Sequence, residues 1–198
     1  MTLARLSDVS ARQRTRHLLA RLPVALALAA LGVLALGIRP SLLGVLAIAM
    51  VTEELARIDI AEHRLPNRFV LPLYPVALLG VVGEWMFSGT SPLAAIGAGA
   101  GTFAFLLVLC LAGGMGMGDV KLGGALGICL GTLGVVAAAG GLVLAFVTGA
   151  IGGTVALLRA GTARSSSRGR QRIPFGPFLL AGFWLSVVCF ALGMVGST

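Results

Sequence analysis

The sequence predicts an all-α membrane helix bundle with about seven transmembrane helices, and three observations support this fold class. Hydrophobic residues make up 58% of the 198 residues and charged residues only 11%, against roughly a quarter charged in soluble domains. Apolar runs long enough to cross a bilayer follow one another along the chain. Basic residues fall between alternate runs. With a mean hydropathy of +1.01, the chain has too little polar surface for a water-soluble globule, and we expect a lipid bilayer around it.

The predicted spans each contain roughly 20 mainly apolar residues, which is what a helix needs to cross the hydrocarbon core. They are 20–38, 41–58, 69–87, 93–113, 119–137, 140–158 and 174–196. The division between the fifth and the sixth depends only on Gly134, Gly140 and Gly141. Without a repeat or a long linker, we expect one membrane-embedded domain over 1–198. In it, 1–40 form a tail and an extra helix, and 41–198 form a six-helix core.

The basic residues predict the orientation of the chain. If the N-terminus is cytoplasmic, 14 of the 15 basic residues lie on the cytoplasmic side and only Arg39 lies outside. The positive-inside rule therefore predicts a cytoplasmic N-terminus and supports the count of seven. The first run could instead be a signal peptide, which would leave the other six orientations unchanged. Since these residues form no basic domain with aromatic neighbours, we expect no nucleic-acid partner; the Ser- and Arg-rich loop 160–172 is predicted to be solvated.

The cysteines and histidines are not spaced as the ligands of a metal site. Cys110, Cys129 and Cys189 lie within apolar runs without C-x-x-C spacing, which is typical of packing residues. His17 and His63 lie in polar segments and are expected to be solvated. We therefore expect no metal site and no cofactor.

Two of the few acidic residues lie where apolar runs meet polar segments. Asp59 ends the second run and Asp119 opens the fifth, so the predicted topology places both near the cytoplasmic membrane face. Two interpretations stay open: ordinary interfacial residues at helix ends, or a functional pair. A pair suits peptide hydrolysis, because two close carboxylates share one proton; the ionised one activates water and the protonated one polarises the scissile carbonyl.

The helix ends suggest a division of roles between the two aspartates. Asp119 is predicted at a helix N-terminus, which favours an anion, and Asp59 near a C-terminus, which disfavours one. This argument predicts Asp119 as the base and Asp59 as the acid. The charges of Arg57, Arg64 and Lys121 are close enough in sequence to reverse it.

The residues near the aspartates allow both structural and functional interpretations. Gly116 and Gly118 permit positive φ and close backbone approach, as a site for a peptide strand requires, but they also suit an ordinary helix start. Glu53 is spaced for an i,i+4 ion pair with Arg57. Alternatively, Glu53 or Glu54 tunes Asp59 or binds a positive group of a substrate.

Three motifs in order resemble those of the prepilin peptidases, the membrane aspartic proteases that mature type IV pilin-like precursors. The first is Asp59 followed by Leu65-Pro66-Asn67, and the second runs from Gly116 to Leu122 as GMGDVKL. The third is Ile173-Pro174-Phe175-Gly176-Pro177-Phe178. The resemblance implies that Asp59 and Asp119 are the catalytic pair. It also implies a set of substrate-binding or site-shaping residues: Gly116, Gly118, Lys121, Pro66, Asn67, Pro174, Gly176 and Pro177.

The resemblance further implies a substrate, a reaction and a location. The substrate is a prepilin, Flp-type prepilin or preflagellin with a short basic leader and a hydrophobic helix. The leader is removed, typically after a glycine, at the cytoplasmic face of the cell membrane, and the pilus assembly machinery is a possible partner. The paired-cysteine domain that methylates the new N-terminus in larger members has no counterpart here, so we expect peptidase activity without methyltransferase activity.

Other classes of protein remain as alternatives. A small transporter or channel subunit would place charged groups near the bilayer midplane, and only Glu53 and Glu54 approach that depth. A non-catalytic scaffold of a pilus machine has no use for two aspartates at matched depth. A presenilin-like protease shares the G-x-G-D element, but the only tyrosine, Tyr74, does not form the tyrosine-aspartate partner motif.

Overall fold

The computed structural model describes residues 22–160 and 174–193, and within these ranges every regular element is a helix. In chain order the helices are α1 Leu22–Leu36, α2 Leu42–Glu62, α3 Asn67–Val70, α4 Leu73–Ser88, α5 Leu93–Leu111, α6 Met117–Gly131, α7 Val135–Ala160 and α8 Gly176–Ala191. The all-α prediction is confirmed for the described part of the chain. His17 and nearly all of the loop 160–172 lie outside it.

The predicted spans correspond to these helices, and the larger differences lie at the third, fifth and sixth spans. The third span is divided, because the short α3 precedes α4, which begins after Pro72. The fifth span ends with α6 at Gly131 rather than at 137, and the sixth span begins with α7 at Val135 rather than at 140. Gly134 forms the break with a φ of 124°, a conformation that favours glycine, whereas Gly140 and Gly141 lie inside α7. The predicted start of this helix was therefore wrong.

Three helical segments of the described chain are long and apolar enough to cross a membrane: Asn67–Ser88, Leu93–Leu111 and Val135–Ala156. α1 and α8 are apolar but shorter. α2 carries several charged residues in its second half, and α6 has only 15 residues. Large apolar side chains such as Phe87 and Leu111 are exposed on the helices, as expected for surfaces that face lipid. The chain is a helical membrane protein; the count of seven spans and the orientation stay predictions.

Small residues allow α5 and α6 to pack closely. A Cβ at Gly127 would lie 2.9 Å from the carbonyl oxygen of Ala98 and 2.8 Å from Thr102 Oγ1. Helices in lipid commonly associate through such small residues, since the bilayer provides no hydrophobic driving force between them. This contact fixes α6, which carries Asp119 in its first turn.

Hydrogen bonds between helices fix the other elements around the site. The Trp184 indole N–H donates to Thr52 Oγ1 at 3.1 Å and joins α8 to α2. The Tyr74 hydroxyl donates to the Lys121 carbonyl oxygen at 2.7 Å and joins α4 to α6. Buried polar groups of this kind need partners, so each bond favours one relative placement of its two helices.

Candidate active site

Asp59 lies in the last turn of α2 and is 3% exposed. Its Oδ2 accepts a 2.9 Å hydrogen bond from the backbone N–H of Gly176. Gly176 is the first residue of α8, where backbone N–H groups have no partner within the helix and the helix dipole is positive. The carboxyl group therefore lies near the C-terminus of its own helix and at the N-terminus of another.

Asp119 lies in the first turn of α6 and is 8% exposed. Its backbone N–H donates to the Gly116 carbonyl oxygen at 3.1 Å. Its side-chain Oδ1 is buried and has no hydrogen-bond partner among the residues that the structure describes. An ionised carboxylate in such a place would bear a desolvation cost that no hydrogen bond at Oδ1 offsets.

The two aspartates interact electrostatically. Leu65 packs against Gly118, which is next to Asp119, and against Gly176, which donates to Asp59. A Cβ at Gly118, next to Asp119, would lie 2.9 Å from Leu65 Cβ. A Cβ at Gly176, which binds Asp59, would lie 3.3 Å from Leu65 Cδ1. The three motifs, far apart in the sequence, therefore converge at one end of the bundle.

The glycines of the site provide space for close contacts. Gly116 has a φ of −81°, and Gly118 is not among the described glycines with positive φ, so positive φ is not the reason for either. A Cβ at Gly116 would lie 3.4 Å from Asp119 Oδ2, and one at Gly176 would lie 2.8 Å from Asp59 Oδ2. At Gly118 and Gly176 a side chain would force its neighbours to move, whereas the contact at Gly116 is an ordinary one.

Lys121 binds the polar loop rather than Asp119. Its Nζ donates to Asn67 Oδ1 at 3.1 Å, and Asn67 is the first residue of α3, with Pro66 at the N-cap. The bond ties the Leu65-Pro66-Asn67 segment to α6. The chain turns at Leu65-Pro66, because α2 ends at Glu62 and a new helix begins at Asn67.

The basic residues near Asp59 in the sequence do not form the ion pair that the spacing predicted. Arg57, Arg64 and His63 are exposed, and neither arginine forms an ion pair within the described ranges. The predicted ion pair between Glu53 and Arg57 was therefore wrong. Glu53 is partly buried, and its Oε2 has no hydrogen-bond partner in the described part of the chain.

The third motif forms the start of α8. Phe175 is the N-cap, Gly176 the first helical residue and Pro177 the next, while Pro174 immediately precedes the cap. Proline suits the first turn of a helix, because the N–H that it lacks would have no intrahelical partner. The two prolines therefore lie at the entry to α8.

Two contacts of the site were not predicted from the sequence. The donor role of Gly176 toward Asp59 joins residues 117 positions apart, and no local pattern announces such a bond. The second contact is the hydrogen bond from the Tyr74 hydroxyl to the Lys121 carbonyl oxygen. The sequence contained one hint of it, since a tyrosine hydroxyl that is removed from water usually has a hydrogen-bond partner.

The fold and the site define a helical membrane protein in which two buried carboxyl groups from different helices lie within each other's electrostatic range. The model of the type IV leader peptidase family matches residues 42–157, more than half of the chain, and the chain belongs to that family. The matched region contains both aspartates and the Leu65-Pro66-Asn67 segment and ends before α8. Searches of curated proteins and of solved structures found no match. The family is one of proteases, and the predicted resemblance is confirmed.

Proposed function

We propose that the chain is an aspartic endopeptidase that removes the short basic leader from type IV pilin-like precursors, with Asp59 and Asp119 as its catalytic pair. The observation that carries the proposal is that two buried carboxyl groups, 3% and 8% exposed, interact electrostatically from separate helices of a leader peptidase family member. Two interfacial aspartates that merely cap helices would be exposed to water, and their carboxyl groups would have no reason to interact. Buried carboxyl groups that interact are the arrangement in which one proton can be shared.

The hydrogen bonds of the site favour Asp59 as the ionised partner and Asp119 as the protonated one. Asp59 accepts from the Gly176 N–H at the positive end of α8. Asp119 Oδ1 is buried without a partner in the described chain, which suits a neutral carboxyl group. This division is the reverse of the one that the helix ends alone suggested. The reason is that the N-terminus of α8, distant in sequence, acts on Asp59 as well.

In the proposed reaction, Asp59 takes a proton from water as the oxygen attacks the scissile carbonyl carbon. Asp119 gives its proton to the carbonyl oxygen, so that a neutral diol forms. As the C–N bond breaks, Asp59 gives its proton to the leaving nitrogen and Asp119 takes one from a hydroxyl of the diol. The products are a carboxylic acid and an amine, and each aspartate returns to its initial protonation state.

The neighbouring residues position this pair. Gly118 of α6 and Gly176 of α8 allow Leu65 to pack against both of these helices. Lys121 and Asn67 connect the polar loop after α2 to α6. In this proposal Gly116, Pro66, Pro174 and Pro177 shape the ends of the helices on which the site is built.

The proposed substrates are prepilins, Flp-type prepilins or preflagellins, whose basic leaders lie in the cytoplasm. The count of basic residues supports a site on the cytoplasmic face of the cell membrane, since the segments near Asp59 and Asp119 belong to the basic side. We also propose the pilus assembly machinery as a partner, because the family is that of type IV leader peptidases.

Co-expression with a prepilin-like protein from the same genome tests the function. Intact-mass measurement of the pilin should show loss of the leader in cells with the wild-type chain and full-length precursor in cells without it. Glu84→Gln serves as a matched control for Asp59→Asn and Asp119→Asn, because Glu84 accepts a hydrogen bond from the Ser41 backbone N–H and lines a cavity with Thr132, at the opposite end of α6 from Asp119. Failure of the wild type to shorten any pilin-like precursor of its genome would contradict the proposal.

A further inference from the structure

A large apolar groove lies on the side of the bundle between α4 and α5, with α6 as its floor. Its volume is about 520 Å³. The walls include Leu71, which precedes α4, Leu78 of α4 and Ile96 of α5, and these side chains are 49%, 39% and 47% exposed. These side chains face the lipid, so the groove is open to a molecule that moves within the membrane.

The groove begins next to the candidate active site. Lys121 lines one end of it and is two residues after Asp119 in α6. Ile128 lines it further along the same helix. At a rise of 1.5 Å per residue, these two positions are about 10 Å apart along the axis. The groove therefore extends from the catalytic end into the membrane for about two helical turns.

The end near Lys121 is fixed by two hydrogen bonds. The Tyr74 hydroxyl donates to the Lys121 carbonyl oxygen, and Lys121 Nζ donates to Asn67 Oδ1. The loop after Asp59 and the start of the groove are therefore parts of one hydrogen-bonded unit. A chain lying in the groove would meet, at this end, the loop that follows Asp59, at the same level along α6 as Asp119 but on another face of that helix.

The wall formed by α5 suits a helix as the occupant. Ala100 is exposed and lines the groove, and small residues let helices approach each other closely in lipid. A precursor of the proposed kind has a hydrophobic helix directly after its leader. Since such a helix stays in the bilayer, it must reach the site from the side, and the groove offers a lateral path that ends at Lys121, near the N-terminus of α6 where Asp119 lies.

We propose that this groove binds the hydrophobic helix of the precursor and so presents the peptide bond after the leader to Asp59 and Asp119. The inference rests on the proposed function, and it adds where the part of the substrate beyond the cut is recognised. It predicts that affinity for the precursor depends on residues that never touch the scissile bond.

Kinetics with two substrates test the groove. Ala100→Trp would fill it, and Ala150→Trp, at an exposed position of α7 outside the groove, is the matched control. Purified full-length enzyme in bilayers is given either the whole precursor or a peptide that ends shortly after the cut. We expect Ala100→Trp to lower kcat/KM for the precursor by about tenfold or more, mainly through KM, and to affect the short peptide far less. The control should cleave both as the wild type does.

A photo-crosslinking residue at position 78 identifies the occupant directly. In an Asp119→Asn background, a photo-crosslinking residue in place of Leu78 should label the hydrophobic helix of the precursor, and one in place of Ala150 should not. Labelling of lipid or of a second copy of the chain alone would overturn the inference, as would wild-type kinetics of Ala100→Trp on the precursor. If Ala100→Trp reduces the cleavage of both substrates equally, the crosslinking result decides whether the groove binds the precursor helix. A wild type that cleaves neither substrate contradicts the proposed function and removes the inference with it.

Discussion

The backbone N–H of Gly176 donates a 2.9 Å hydrogen bond to Asp59 Oδ2, and the two residues are 117 positions apart. The bond joins the last turn of α2 to the first turn of α8. Because a Cβ at Gly176 would lie 2.8 Å from the same oxygen, a side chain at residue 176 would force the Asp59 carboxyl group to move.

Gly176→Ala should therefore displace Asp59 and lower kcat for leader cleavage by about tenfold or more, since small displacements of catalytic groups are costly. Cleavage of a precursor by the purified variant measures the effect. Gly140→Ala is the control, because a Cβ at Gly140 in α7 would meet no atom within 4 Å and alanine favours helix. Wild-type activity of Gly176→Ala would show that the contact does not position Asp59.

Gly118→Ala should reduce both stability and activity, because the added Cβ would lie 2.9 Å from Leu65 Cβ. The backbone of Leu65 is also close, with its nitrogen 3.3 Å away, so the loop cannot yield without moving the segment after Asp59. We expect destabilisation of about 1–3 kcal/mol in thermal or denaturant unfolding in detergent. An unchanged unfolding midpoint would contradict the packing described for Leu65.

Lys121 and Asn67 should be energetically coupled through their 3.1 Å hydrogen bond. A double-mutant cycle with Lys121→Met and Asn67→Leu should give a coupling of at most about 1 kcal/mol in unfolding, because the bond is exposed to solvent. If the bond also orders the loop after Asp59, either variant should lower the rate of cleavage. Purely additive effects on stability and on cleavage would remove this bond from the account.

The sequence predicted the positions of the two aspartates well, because both lie where an apolar run meets a polar segment and such boundaries coincide with helix ends. It did not predict the start of α7 correctly, since Gly134, Gly140 and Gly141 are equivalent as sequence signals. Only the backbone distinguishes them: Gly134 has positive φ and the other two are helical.

Spacing along one helix was a poorer guide to pairing. Glu53 and Arg57 have the spacing of an ion pair, yet Arg57 is exposed while Glu53 is partly buried with an oxygen turned inward. The sequence also could not show which aspartate is the base and which is the acid. It depends on the N-terminus of α8, whose contact with Asp59 is a tertiary feature.

The proposed proton position can be observed by infrared difference spectroscopy. A protonated carboxyl group absorbs apart from carboxylates, and in the resting enzyme that signal should come from Asp119. It should disappear in Asp119→Asn and persist in Asp59→Asn, since Asp119 Oδ1 lies buried without a partner in the described chain. The opposite pattern would assign the proton to Asp59 and restore the division that the helix ends suggested.

The central claim is that Asp59 and Asp119 together perform the hydrolysis, and single-site variants of the purified enzyme test it most directly. Asp59→Asn and Asp119→Asn each retain the shape of the side chain while removing the titratable group. We expect each to lower the rate of leader cleavage by about 10²-fold or more while precursor binding is retained. If both variants cleave at the wild-type rate, the aspartates are ordinary interfacial residues, and a transporter or scaffold role becomes the better account of this chain.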